Sequence, residues 1–461
     1  MSSEDLIRTL SKREVLVLAI GAMIGWSWVI MTGIWLTSAG TIGAILAFIV
    51  GGFAILLISL TYAELVSAMP KVGGEHVYTE RAFGRTGSFI CTWAIIMAYI
   101  TVPAFESAAL PTAIEYLLPQ LKVGYLWSVF EADVYLSYAI IGVLASIAIT
   151  IINYVGIKFM AVVQTTITAG FLIIGWMFMM GIFTDFNLTY VTPLFVDGHK
   201  GFFAVLAMIP ALMIGFDVIP QSAEEINLKP KSIGKLLVFS VAIAVVWYCL
   251  ITLGTALAMT SDELSSSFMA TADAHANVWQ GQWAGNLTVL GGIAGIITSW
   301  NAFVLGGSRA IYALAKSGHL PSAFAKLHPK YKTPYVAIIF IGCLCVISPF
   351  FGRTILVWLI NSGSFAVVIG YGMVAYAFLK LRQKEPDMPR PFRVKHGKLV
   401  GYMALIVSLS LGWIYLPWGP SALLWPYEWA MVIAWFTLGL LFFVWAKISR
   451  AKAQSNNSTN K

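Results

Sequence analysis

Five acidic residues fall within or at the ends of apolar stretches: Glu64, Glu106, Asp217, Glu224 and Glu225. An ionisable group in hydrocarbon is expensive, and it marks a ligand pathway, a proton relay or a paired charge. Glu106 is the deepest, about two-thirds along its stretch, and no basic residue is near it in sequence. Asp217 lies in a stretch broken by Pro210, Gly215 and Pro220. Glu224 and Glu225 close that stretch with Lys229 nearby, which reads as a salt bridge or gate. Glu64 is near the end of its stretch, within reach of water.

Other chemistries find little support. A membrane-embedded metalloenzyme needs ligands at set spacing, such as His-Glu-x-x-His. The six histidines (His76, His199, His275, His319, His328 and His396) read as loop residues, and no two stand four apart. No Gly-rich loop ending in Lys-Ser or Lys-Thr argues for ATP-driven pumping. Cys91, Cys249, Cys343 and Cys345 all lie in apolar segments and read as small buried hydrophobes. No catalytic residue and no cofactor is expected.

The elements that carry these acids are set by composition. Of 461 residues, 59% are hydrophobic and 11% charged. A soluble domain carries roughly 25% charged residues, and with this composition it would expose large apolar patches. The chain therefore reads as an all-α integral membrane protein. Stretches of spanning length recur at 14–36, 41–66, 88–115, 136–155, 159–183, 202–223, 233–259, 287–315, 335–351, 354–379, 400–416 and 424–447. No cleavable leader is read at the polar N-terminus. Twelve spans place both termini on one side. Of the 29 Lys and Arg, 26 then fall on that side, leaving Lys122, Lys200 and Arg353 on the other. The positive-inside rule makes the basic side cytoplasmic. The net charge of +8 thus orients the chain in a plasma (inner) membrane and does not mark a nucleic-acid partner.

Spans one and six are interrupted. Span one reads Gly21-Ala-Met-Ile-Gly25-Trp26-Ser27-Trp28, and span six reads Pro210-Ala-Leu-Met-Ile214-Gly215-Phe216-Asp217-Val-Ile-Pro220. Pro removes a backbone donor and Gly eases departure from helical geometry. A broken backbone survives in hydrocarbon where protein or a water-filled cavity satisfies it. Breaks five spans apart suggest two inverted five-helix halves, 14–183 and 202–382. Two helices follow at 400–448, and polar ends remain at 1–13 and 449–461.

The motifs resemble those of the amino acid–polyamine–organocation superfamily of permeases. Gly21-Ala-Met-Ile-Gly25 resembles its first-helix motif, and Met69-Pro-Lys-Val-Gly-Gly-Glu-His-Val-Tyr78 its loop after helix two. Ile214-Gly-Phe-Asp217 with Ala223-Glu-Glu225 resembles helix six, and Ser308-Arg309 with Gly318-His-Leu-Pro321 the end of helix eight. Arg390-Pro-Phe-Arg393 resembles the loop after helix ten. The resemblance implies the LeuT-like fold, with broken helices one and six and substrate bound between them. It implies substrate contacts at Gly25, Trp26, Ser27, Trp28, Glu106, Ile214, Gly215 and Asp217, with Glu106 or Asp217 meeting a cationic group. Where relatives read Gly-small-Gly, this chain has Gly25-Trp26-Ser27, so the indoles reshape the pocket. In sodium-coupled relatives a cation sits between helices one and eight. The matching positions are Gly21, Ile24, Gly295, Thr298 and Ser299. The helix-five lysine of some proton-coupled relatives aligns with Phe171, while Lys158 reads as an anchor. The expectation is a cation-coupled symporter, driven by sodium or protons, for an amino acid or small organic amine. Its partners are that substrate and the lipid bilayer, and it is a monomer or weak homodimer. The alternatives are an uncoupled exchanger and a ligand sensor.

Overall fold

The computed structural model describes residues 6, 8–129, 132–352 and 354–459, without the side chains of 157–160, 354 and 450–459. Arg353, the side chain of Lys158 and the basic side chains beyond 449, all counted above, lie outside the described residues.

Among the described residues, nine helices are long and apolar enough to cross a membrane. Two shorter apolar helices, His199–Leu212 and Tyr335–Phe351, accompany them. Among the described residues the regular structure is helical apart from one hairpin, Tyr125–Val129 with Ala132–Tyr135, in the connection after span three, and an isolated bridge between Leu10 and Ile226. Its Trp127 Nε1 donates to the Phe350 carbonyl at 3.0 Å, which ties the hairpin to the end of span nine. The outer surface is apolar: Ile173, Phe183, Leu144 and Leu409 are each at least 60% exposed. Such a surface requires lipid as its solvent. The chain is a multi-pass membrane protein.

Spans one and two meet inside the run Thr32–Ala68, which Gly40, with a non-helical φ of 74° and ψ of 171°, parts into two helices at the boundary expected between 36 and 41. The run Glu75–Leu117 is likewise parted at Gly84, whose φ is 76°, into a short helix over Glu75–Phe83 and the helix that carries span three. The short helix falls in a stretch expected as a loop, because its polar side chains carry no apolar period. His76 and His275, expected in loops, are helical and buried. Cys343, expected to be buried, is exposed on the outer surface.

Span one opens with a capping box, in which Ser11 and Glu14 each accept from the other's backbone N–H. It stops at Met23, resumes as a single turn, Ser27–Ile30, and continues from Thr32. Span six stops at Leu212 and resumes as Val218–Gln221. The two breaks touch. A Cβ on Gly215, where φ is 129°, would lie 2.7 Å from Ala22 Cβ and 3.0 Å from the Met23 nitrogen. No other residue fits that backbone and that approach.

The end of the bundle that carries the basic loops is tied by ion pairs. Glu64 is not at water, as its position suggested, but 1% exposed. Arg382 Nε donates to it at 2.8 Å, Arg390 Nε lies 3.1 Å away and the Val394 amide donates at 2.7 Å. Glu225 is bound by Arg309 from span eight rather than by Lys229, through parallel bonds of 2.9 Å. Glu224 lies half-buried beside it. Backbone amides of Thr9 and Leu10 donate to the Glu225 carbonyl at 2.9 Å, so the N-terminal segment straps this end.

Candidate functional site

Both breaks open onto one buried cavity of about 60 Å³. Its volume suffices for about four waters. Span one contributes Met23, Gly25, Trp26 and Ser27; span three Thr101, Phe105 and Glu106; span six Leu212 and Ile214. Ser299 and Phe303 of span eight and Leu359, Ile360 and Val367 of span ten complete the wall. The polar side chains of the lining are Glu106, the hydroxyls of Ser27, Thr101 and Ser299, and the Trp26 indole.

Glu106 stands at the centre of this arrangement. Span eight's Ser299 hydroxyl donates to its Oε1. The backbone amide of Trp26, freed by the break, also faces the carboxylate. Glu106 Oε2 is buried with no hydrogen-bond partner among the described residues. A buried acceptor left unmade costs about 1–3 kcal/mol, more when charged. The close fit explains Gly25: a Cβ there would lie 2.9 Å from both Glu106 Oε1 and Ser299 Oγ. The Trp26 ring seats on Gly292, where a Cβ would fall 2.0 Å from it.

Tyr248 of span seven escaped the sequence reading. Its hydroxyl donates to the Met23 carbonyl at 2.7 Å, with Leu212 O at 3.4 Å, and lies 2.8 Å from the Ser27 hydroxyl. It therefore accepts from Ser27 and ties the carbonyl ends of both breaks. A mid-span tyrosine is the one sequence signal that could have pointed to it. Tyr248→Phe should strand two buried carbonyls at a cost of about 1–3 kcal/mol. The check is the thermal unfolding midpoint in detergent, which should fall by several degrees. An unchanged midpoint would contradict the role.

Of the expected contacts, Gly25, Trp26, Ser27, Glu106 and Ile214 meet at the cavity. Trp28, Gly215 and Asp217 are not in its wall. Trp28 packs edge-on against Trp247 at 5.6 Å, because one residue's advance along the resumed helix turns it away. Asp217 turns back on its own break, its Oδ1 accepting from the Gly215 amide at 2.9 Å.

The five expected cation ligands also come together, with the two hydroxyls turned onto neighbouring carbonyls. Thr298 Oγ1 donates toward Gly295 O at 3.0 Å and Gly21 O at 3.2 Å. Ser299 is committed to Glu106 and Gly295 O. A Cβ on Gly295 would fall 3.4 Å from Ile24 O. The span-five side chains facing Gly21 are Gln164 and Thr168. Phe171 is buried and nearer Trp247. Gln164 Nε2 donates to Thr298 O at 3.1 Å, and Asn301 and Asn153 extend an amide ladder across spans five, eight and four. The Gly21 and Gly295 carbonyls already accept from these hydroxyls, so the residues as arranged do not form an open oxygen cage.

A family model described as amino acid permease matches residues 10–453. The branched-chain amino acid permease BcaP of Bacillus subtilis is 25% identical, over 95% of this chain and 93% of its own length. The methylthioribose transporter of the same organism is 24% identical, over 96% and 95% of the two chains. Its aspartate-proton symporter is 24% identical, over 89% and 81%. The three names differ at nearly equal identity, so overall similarity does not select a substrate. The chain belongs to the amino acid permease family, a family of transporters and not of enzymes.

Proposed function

We propose that the chain is a proton-coupled symporter of an amino acid or small amine with an apolar body, working by alternating access. The unpartnered Glu106 Oε2 in the cavity carries this reading. A substrate ammonium supplies the missing donors, and the aliphatic wall takes the side chain. Among the described residues no Lys or Arg lines the cavity, so the site favours substrates whose recognised charge is positive. Twelve spans in two inverted halves, 14–183 and 202–382, give the fold its two rocking bundles. The basic end faces the cytoplasm of a plasma membrane, and the ties at Glu225 and Glu64 keep that end shut. The chain acts as a monomer or weak dimer. Proton coupling is favoured over sodium because the Thr298 and Ser299 hydroxyls are turned onto the Gly21 and Gly295 carbonyls and onto Glu106, and not toward a common centre. One of the relatives carries a proton-symporter name.

Reconstituted vesicles test this. Accumulation of a labelled branched-chain or other apolar amino acid should need an inward proton gradient and should persist when choline replaces sodium. Loss of accumulation in choline, with the proton gradient maintained, would overturn the proton assignment.

A further inference from the structure

Between the cavity and the basic end lies a second buried polar cluster that substrate binding does not use. Glu75, at the start of the short helix before span three, and Asp217, after the span-six break, are both fully buried. Gln221, one turn after Asp217, donates its side-chain amide to Glu75 Oε2. Glu75 Oε1, Asp217 Oδ2 and Gln221 Oε1 have no hydrogen-bond partner among the described residues. Four tyrosine hydroxyls in the same position surround them, those of Tyr62, Tyr78, Tyr99 and Tyr371. Tyr99 faces Asp217 and Tyr62 faces Glu75. The rings close the cluster from spans two and ten, with Tyr62 5.9 Å from Tyr371 and Phe216 wedged against both.

The charge in this cluster is unbalanced. Among the described residues, the other titratable groups facing it are these tyrosines and the Cys91 thiol, none of them cationic. The buried arginines nearby are spent: Arg309 on Glu225, and Arg382 and Arg390 on Glu64. His76 turns away toward Ser88 and Ser317. With no cation beside them among the described residues, two buried carboxylates each bear an uncompensated desolvation cost, which one proton on the pair relieves. The tyrosine hydroxyls can donate to the one that does.

We infer that Glu75 and Asp217 form a two-carboxyl proton-loading site, separate from Glu106, that holds one shared proton while the basic end is closed. This deepens the symport reading and rests on it. The position suits release. The lid over Glu75 is the Gly73–Gly74 turn, whose Gly73 amide reaches Gln221 O at 3.4 Å. A Cβ on Gly74 would lie 2.9 Å from Pro220 Cβ. Moving the second half of span six to open this end must part that contact. Water then reaches Glu75, both carboxylates ionise, and the proton leaves to the cytoplasm. Reloading runs from the cavity side, by transfer to an Asp217 oxygen.

Two measurements test the assignment. In purified protein at neutral pH, infrared spectra should show a protonated-carboxyl band that weakens in Glu75→Gln and in Asp217→Asn. A band as strong in both variants as in the unsubstituted protein would overturn the proposal. In vesicles, Glu75→Gln should retain substrate counterflow and lose proton-driven accumulation at least tenfold. Full proton-driven accumulation in that variant would also overturn it. Absence of counterflow in the unsubstituted protein would sink the permease reading instead, and the infrared result would still decide the shared proton. If Glu75→Gln fails to fold, Asp217→Asn, whose remaining oxygen still accepts from Gly215, decides the infrared arm.

Discussion

Glu106→Gln should weaken substrate binding by roughly 30- to 150-fold, equivalent to about 2–3 kcal/mol, the worth of a hydrogen bond to a charged group in a buried site. The substitution keeps the shape and the oxygen that Ser299 needs. It removes the charge and presents an amide donor where the substrate ammonium would approach. Binding can be read from substrate-induced thermal stabilisation, which follows mass action on the folded state. Ser299→Ala is the control. It removes a hydrogen bond from the same carboxylate without removing its charge, so its effect should be several-fold smaller. If Glu106 only props the broken backbone, the two variants will behave alike and affinity will stay near that of the unsubstituted protein. Wild-type affinity and selectivity in Glu106→Gln would end its role in recognition.

What the sequence made legible follows from which forces are local. Lipid exposure is written residue by residue, so the long apolar helices stand out in hydropathy alone. The breaks are also legible, because Gly25, Pro210, Gly215 and Pro220 act on their own backbone. The short helix Glu75–Phe83 before span three was missed because its polar turns carry no apolar period. Partners across the bundle were harder still. Tyr248, Gln164 and Asn301 are ordinary residues in their own spans, and each acquires meaning from a carbonyl or amide on another helix. Lys229 was the nearest base to Glu225 in sequence, yet Arg309 reached it from 84 positions away. Alignment along span five pointed to Phe171, whereas packing brings Gln164 and Thr168 to Gly21. The acids were found because burial makes them costly wherever they fall. The buried Glu75 was passed over because the sequence alone placed it in a loop.

Arg309→Met should release the basic end of the bundle. Arg309 is 1% exposed and binds Glu225 through two parallel 2.9 Å bonds. Removing one member of a buried pair leaves an uncompensated charge, at a cost of about 3–5 kcal/mol. In a transporter the cost falls on the state in which the pair is buried. The balance should therefore move toward the state open at the basic end, by roughly 150- to 5,000-fold. Cys91 reports this directly. It is fully buried beside the Glu75 cluster, its Sγ directed to Gly370 O at 3.7 Å. Modification of Cys91 by a soluble thiol reagent, mapped by mass spectrometry, should be far faster in Arg309→Met than in the unsubstituted protein. Global unfolding would also expose Cys345, which packs elsewhere in the core, so its continued protection marks the change as local. The double variant Arg309→Met/Glu225→Leu separates charge from packing. Replacing both members by apolar groups removes the stranded carboxylate and should restore most of the protection of Cys91. Rapid labelling in the double variant as well would show that the pair's shape, not its charge balance, holds the closed end together.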